Sequence, residues 1–261
     1  MPKSEPFIFI AGPCVLESEE VAIQIGKEVK KIADELGWQY YFKASYDKAN
    51  RTSIRAPRGP GLKKGLEMLV RIRDTVGVPV LTDVHSVEDV AIVASSVDVL
   101  QIPAFLCRQT DLITAAAWSG KPVNVKKGQF LSPDDADAIA EKLKSSGCSQ
   151  YWITERGTTF GYHNLVVDMR GLVLMRERGH KIIFDATHSV QRPSGLGEKT
   201  GGDGRLAPYL ARAAVAVGID GLFVETHPDP KQSPSDSDNM IPLAQLPDIL
   251  RQLQKIRKSI E

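Results

Sequence analysis

Short runs of apolar and β-branched residues alternate along the chain with longer stretches in which apolar positions recur every three or four residues. The short runs read as buried strands and the longer ones as amphipathic helices, so their alternation predicts repeated βα units around a parallel sheet. Strands are predicted at 7–11, 39–44, 78–83, 97–102, 122–126, 150–154, 181–186 and 221–225. Val21, Ile25, Val29, Ile32 and Leu36 share one helical face, as do Leu246, Ile249, Leu250, Leu253 and Ile256. Helix starts are signalled by Ser86 with Asp89, a capping box, and by Ser132-Pro133-Asp134-Asp135, a cap followed by a first-turn proline and acidic residues. Eight such units in 261 residues match the size and order of an α/β fold of the (β/α)8 TIM-barrel type, whereas an open doubly wound sheet has no need of the eighth. With no linker or low-complexity tract, residues 1–261 are expected to form one catalytic barrel, with long loops at 46–61, 187–204 and 226–239.

Composition narrows the partners. At 42% hydrophobic and 25% charged residues the chain is that of an ordinary globular protein, which excludes disordered and fibrous classes. A formal charge of +1 gives no general attraction to nucleic acid or to an anionic membrane, so any anion binding has to be local. The longest apolar runs, FIFIAG from Phe7 and LARAAVAVG from Leu210, fall far short of the roughly 20 residues that span a bilayer. The start, MPKSEPFIFIAGPC, has too short an apolar region for export and a proline before its cysteine, so a cytoplasmic chain is expected. Three cysteines are too few for a disulfide scaffold and fit a reducing compartment.

In a barrel of this type the active site lies where strands end and βα loops begin. All eight predicted strands finish in polar groups there, from Gly12-Pro13-Cys14 on the first to Glu225-Thr226-His227 on the last. Closure makes the last strand a neighbour of the first, so Cys14, His188 and Glu225 come from three consecutive strands. A thiolate, an imidazole and a carboxylate on one rim make a plausible metal site, with Asp236 or Asp238 as a fourth ligand. Cys107 and Cys148 have no such company and are expected to be structural. Lys43, Lys48, Arg51, Lys126 and Arg156 gather on or just after the second, fifth and sixth strands, where they suit a substrate bearing phosphate and carboxylate groups. Lys63, Lys64 and Lys127 are expected to be solvated. Gly195, Gly197, Gly201 and Gly202, with Lys199, suggest a lid.

At these positions the sequence carries AGPCVLES from Ala11, FKASYDKANRTS from Phe42, QIPAFLCRQTDL from Gln101, VNVKKGQF from Val123, TERGTTFGY from Thr154, DATHSVQ from Asp185 and ETHPDP from Glu225. Over nearly its full length it resembles the 3-deoxy-D-manno-octulosonate 8-phosphate synthase family, transferases that condense phosphoenolpyruvate with D-arabinose 5-phosphate in lipopolysaccharide precursor synthesis. The resemblance implies a (β/α)8 barrel, assembled as a homotetramer. It implies that Lys43, Lys126 and Arg156 grip phosphoenolpyruvate, with Lys48 turned toward it, and that Asn50 and Arg51 face the pentose phosphate. Thr52, where the family has a serine, keeps the hydroxyl, and Ser45 completes the substrate-binding set. Cys14, His188, Lys126 and Asn50 are the implied catalytic residues. A cysteine after Gly-Pro marks the metal-dependent branch, whose ligands match Cys14, His188, Glu225 and Asp236; the mixed donors suit Zn or Fe(II), with Mn or Co also possible. Two rivals are weighed: the related synthase that uses erythrose 4-phosphate, against which the ANRTS loop argues, and a non-catalytic phosphate-binding barrel, against which the complete cation and ligand set argues.

Overall fold

The computed structural model describes residues 6–51, 53–193 and 201–260. Eight parallel strands close on themselves: β1 (Ile8–Gly12), β2 (Gln39–Lys43), β3 (Val80–Asp83), β4 (Val99–Ile102), β5 (Val123–Lys126), β6 (Tyr151–Glu155), β7 (Ile182–Asp185) and β8 (Gly221–His227). Closure runs from Ile8 opposite Gly221 to Gly12 opposite Glu225. Each strand is followed by a helix: α1 (Glu19–Leu36), α2 (Leu62–Val76), α3 (Val87–Ser96), α4 (Thr110–Trp118), α5 (Ala136–Ser145), α6 (Met169–Glu177), α7 (Ala207–Ala216) and α8 (Leu246–Ile260). This is the expected (β/α)8 barrel. Short strand pairs decorate the loops: Thr158–Thr159 with Leu165–Val166, and Gln191–Arg192 with Gly201–Gly202.

Strand alternation builds two cores, since successive side chains face opposite sides of the sheet. Ile8, Ile10, Leu81, Val99, Trp152, Ile183 and Phe223 fill the barrel interior. Their neighbours Phe9, Phe42, Val125, Ile153 and Phe184 pack outward, in the layer shared with the helices. The helices form because their apolar stripes find that layer. In α1 the buried face is Ala22, Ile25, Gly26, Val29, Ile32 and Ala33; Ser18 caps the start by accepting the Val21 N–H at 3.2 Å, and Gly37, at φ +71°, ends it.

The capping signal at Ser86 is met, with its Oγ accepting the Asp89 N–H at 3.3 Å. The signal at Ser132 is displaced. α5 begins at Ala136, after a turn, and Ser132 instead donates its backbone N–H to Asp135 Oδ2 at 2.8 Å. The Ser132 hydroxyl also donates to Asp135 Oδ2 at 2.9 Å, so the expected cap closes a turn before the helix instead of starting it. No helix among the described residues is long and apolar enough to cross a membrane. Of the residues expected in a lid, Gly195, Gly197 and Lys199 lie outside the described residues, as does Thr52.

Candidate active site

A cavity of about 980 Å³ opens at the C-terminal ends of the strands, lined among others by Lys43, Asn50, Arg51, Lys126, Arg156 and His188. Its depth comes from the strand pattern. The inward positions that are apolar at mid-barrel turn polar one step later, giving Lys43, Asp83, Gln101, Asn124, Lys126, Thr154, Asp185 and Glu225, all buried. Gly12 lets β1 and β2 approach closely here, since a Cβ at that position would run into the Lys43 carbonyl.

On the floor a hydrogen-bonded chain crosses five strands. Thr154 Oγ1 donates to Asn124 Oδ1 at 2.6 Å, Asn124 Nδ2 to Gln101 Oε1 at 2.8 Å, and Gln101 Nε2 to Asp83 Oδ1 at 2.6 Å. Ser45 Oγ then donates to the other Asp83 oxygen and accepts from Lys43 Nζ at 3.0 Å. Ser45 is therefore committed to this network. Lys43 Nζ also lies 3.5 Å from Asp83 and 3.7 Å from Glu225. Burial works to raise the Asp83 pKa, but Lys43, Lys48 and His85 outweigh it and hold the carboxyl well below the usual range.

Lys126 pairs with Asp185, and its ammonium sits 3.3 Å from the centroid of the Phe223 ring. Burial lowers its pKa to about 8, against the pull of Asp185. Asp185 is fully buried, yet His188 and Lys126 keep it ionised. An ionised carboxylate only accepts, so His188 Nδ1 is the donor in their 2.7 Å contact and the other ring nitrogen is left free to bind. Burial opposes the charge on Lys48, but the field of Cys14, Glu225, Asp83 and Asp236 more than offsets it, raising its pKa. Arg156 sends one guanidinium nitrogen to the His188 carbonyl at 2.9 Å and to Gln191 Oε1.

Cys14, Glu225 and Asp236 offer donor atoms all within 4.8 Å of one another. Cys14 Sγ lies 2.9 Å from Asp236 Oδ2 and 3.1 Å from Ser235 Oγ. His188 stands at the edge of this group, with Nε2 3.7 Å from Glu225 Oε1. Of the two candidates in the last loop, Asp236 belongs to the group, while Asp238 is exposed and takes a bond from Ser237. Burial and the two carboxylates push the Cys14 thiol well up, and His188 and Lys48 bring Asp236 down to about 2 despite its burial. Both Glu225 oxygens are buried with no hydrogen-bond partner among the described residues. Buried acceptors without a hydrogen bond are costly, and a bound cation would satisfy three such groups at once and deprotonate a coordinating thiol. The residues present therefore fit a metal ion.

Arg51 approaches from the loop after β2. Its Nε donates to the Pro57 carbonyl at 3.0 Å and its Nη1 to Ser235 Oγ at 2.7 Å, leaving Nη2 buried and, among the described residues, without a partner. Asn50 is exposed at the rim beside it. Lys63 and Lys64 are exposed, as expected, but Lys127 is not: it is fully buried beside Glu155. Strand alternation is the reason. With Lys126 facing inward, Lys127 must face the helices, where a charge needs a partner. Cys107 and Cys148 are buried and free, away from the metal group.

Sequence reasoning did not single out Gln191 or Ser235. Gln191 Nε2 donates to Asp236 Oδ1 at 2.9 Å while its oxygen takes the Arg156 bond, and Ser235 joins Arg51 to Asp236 and Cys14. Neither is foretold by spacing, because each bridges loops that only the closed barrel brings together.

The chain matches the DAHP synthetase I family over residues 2–261. Among curated proteins, the 2-dehydro-3-deoxyphosphooctonate aldolase of Cyanothece sp. is 54% identical over 256 residues, covering 98% of this chain and 94% of that protein. The proteins of the same name from Acidithiobacillus ferrooxidans and Cupriavidus taiwanensis are 54% and 50% identical, covering 96% and 97% of this chain and 89% of each relative. With a closed barrel, a cation-lined mouth and likeness end to end, the chain belongs to the DAHP synthetase I family, among the 2-dehydro-3-deoxyphosphooctonate aldolases.

Proposed function

We propose that this protein condenses phosphoenolpyruvate with D-arabinose 5-phosphate and water, giving 3-deoxy-D-manno-octulosonate 8-phosphate and inorganic phosphate. The observation that carries the reading is one cavity lined by Lys43, Lys48, Arg51, Lys126 and Arg156 and bordered, through Asp236, by a group of metal-type donors. Both substrates are anionic, and fixed cations in a partly dry site orient them and stabilise charge that develops during reaction. In this reading Lys43, Lys48, Lys126 and Arg156 hold phosphoenolpyruvate, and Ser45 serves that set by fixing the Lys43 ammonium from beneath. Asn50, Arg51 and Thr52 hold the pentose phosphate, and the buried free Nη2 of Arg51 is the donor left over for that task.

Cys14, Glu225, Asp236 and His188 hold a divalent metal, Zn or Fe(II) in preference to Mn or Co. When bound, the metal supplies Lewis acidity, either orienting the aldehyde or activating the water. Carbon 3 of the enol phosphate attacks the sugar aldehyde, water adds at carbon 2, and the resulting hemiketal phosphate expels phosphate. Lys126, with a pKa near 8, is poised to pass a proton from Nζ to the leaving phosphate oxygen. Asp185 fixes the His188 ring through Nδ1, the usual second partner of a ligating histidine. Asn50, with both a donor and an acceptor, orients the sugar hydroxyls at the rim.

We place the enzyme in the cytoplasm, a location that its three free thiols suit, and assign it a homotetramer, consistent with exposed Phe105, Trp118 and Phe160. The test is steady-state phosphate release from phosphoenolpyruvate with arabinose 5-phosphate, ribose 5-phosphate or erythrose 4-phosphate in turn. Turnover with arabinose 5-phosphate alone is expected. Preference for the tetrose would move the chain to the rival synthase, and release with none would overturn the reading.

A further inference from the structure

Lys127 and Glu155 lie behind the wall of the cavity, not in it, and nothing in the reaction above uses them. Both are buried, on the strand faces turned toward the helices. Glu155 Oε1 accepts the backbone N–H groups of Arg156 at 2.9 Å and of Gly157 at 2.6 Å. Its Oε2 lies 3.3 Å from Lys127 Nζ, which in turn donates to the Leu131 carbonyl at 2.7 Å. Gly157, at φ +90°, adopts the left-handed conformation that lets two successive N–H groups aim at one oxygen.

A buried ion pair is a poor source of stability. Its desolvation offsets most of its attraction, and apolar replacements of similar size are often neutral or stabilising. What this pair does provide is a fixed backbone under Arg156. Among the described residues the Arg156 guanidinium has hydrogen bonds only to the His188 carbonyl and Gln191 Oε1, while the carboxylates around it, Asp185 and Asp236 foremost, act on it through their field without a directed hydrogen bond. Both bonds go to one nitrogen, so its aim into the cavity depends also on where its own backbone is held.

We propose that Lys127 and Glu155 are positioning residues that set the affinity for phosphoenolpyruvate by holding the backbone of Arg156. The proposal rests on the reading that Arg156 grips phosphoenolpyruvate. Glu155 does the holding, and Lys127 keeps the buried carboxylate paired and ties it to the loop after β5.

The test compares two double variants in the metal-loaded enzyme, with phosphoenolpyruvate binding measured by calorimetry and KM measured for each substrate. K127M/E155Q keeps an oxygen for both N–H groups and removes both charges, so it should retain wild-type affinity within about twofold. K127M/E155L leaves the two backbone N–H groups without their acceptor, so it should fold with a lowered Tm, lose the anchor and raise KM for phosphoenolpyruvate about tenfold or more, the scale of a lost charge-assisted hydrogen bond. KM for arabinose 5-phosphate should stay unchanged in both. Gly157→Ala strains the same anchor by an independent route and should give the same selective loss, so the test stands even where the leucine variant fails to fold. Arg156→Ala separates the two levels of the argument. Weakened phosphoenolpyruvate binding in Arg156→Ala with none in folded K127M/E155L or Gly157→Ala overturns the proposal alone, whereas unchanged binding in Arg156→Ala overturns the reading of Arg156 itself. Equal loss for both substrates would show a merely structural pair.

Discussion

Replacing Arg51 by alanine tests the division of labour in the cavity most directly. Two of its three nitrogens are already committed, Nε to the Pro57 carbonyl and Nη1 to Ser235 Oγ, which leaves Nη2 buried and without a partner among the described residues. One charge-assisted hydrogen bond to a phosphate oxygen is worth about 1.5–3 kcal/mol, so the apparent KM for arabinose 5-phosphate should rise roughly 10- to 150-fold. The phosphoenolpyruvate KM should move far less, because Lys43, Lys126 and Arg156 are held at the ends of β2, β5 and β6 and not by the loop that carries Arg51. Ser235→Ala removes only the Nη1 anchor and should give a weaker version of the same pattern. Phosphate release, titrated in each substrate with the other saturating, measures both effects. Equal weakening of the two substrates in Arg51→Ala would refute the assignment.

Chelation should abolish turnover, with Zn, Fe(II), Mn or Co restoring it; Cys14→Ala should lose bound metal by elemental analysis while Cys148→Ala keeps full activity, and full turnover in a verified metal-free sample contradicts the site. The pH profile of kcat/KM for phosphoenolpyruvate should be flat below the Lys126 pKa of about 8 and fall as pH rises through it, because burial depresses that pKa and deprotonation removes a cation; a flat profile two units higher would exclude a role for its charge. Phosphoenolpyruvate labelled with heavy oxygen at the bridging position should deliver the label to inorganic phosphate, since carbon 2 to oxygen cleavage sends that atom out with phosphorus, and label in the eight-carbon product would mean attack at phosphorus instead.

The strands, the helices and the closed barrel were legible because they follow from local physics: apolar period, cap residues and the count of βα units. The position of the cavity followed from the same pattern, as each strand ends in polar residues at that face. Alternation within a strand was equally available, and it separates Lys126 from Lys127, but the sequence does not say that the outward position is roofed by helices. Only the closed barrel shows that Lys127 is buried against Glu155. Closure also decided which of Asp236 and Asp238 joins Cys14 and Glu225, because the loop after β8 turns through a left-handed Asp236, at φ +51°, that no spacing rule foretells. The bridges through Gln191 and Ser235 join segments more than forty residues apart, and the carboxylates beneath the cations, Asp83 and Asp185, take their ionisation from neighbours on other strands. Chemistry-bearing residues are written in the chain one at a time, whereas their charges and hydrogen bonds depend on distances that exist only after the barrel has closed.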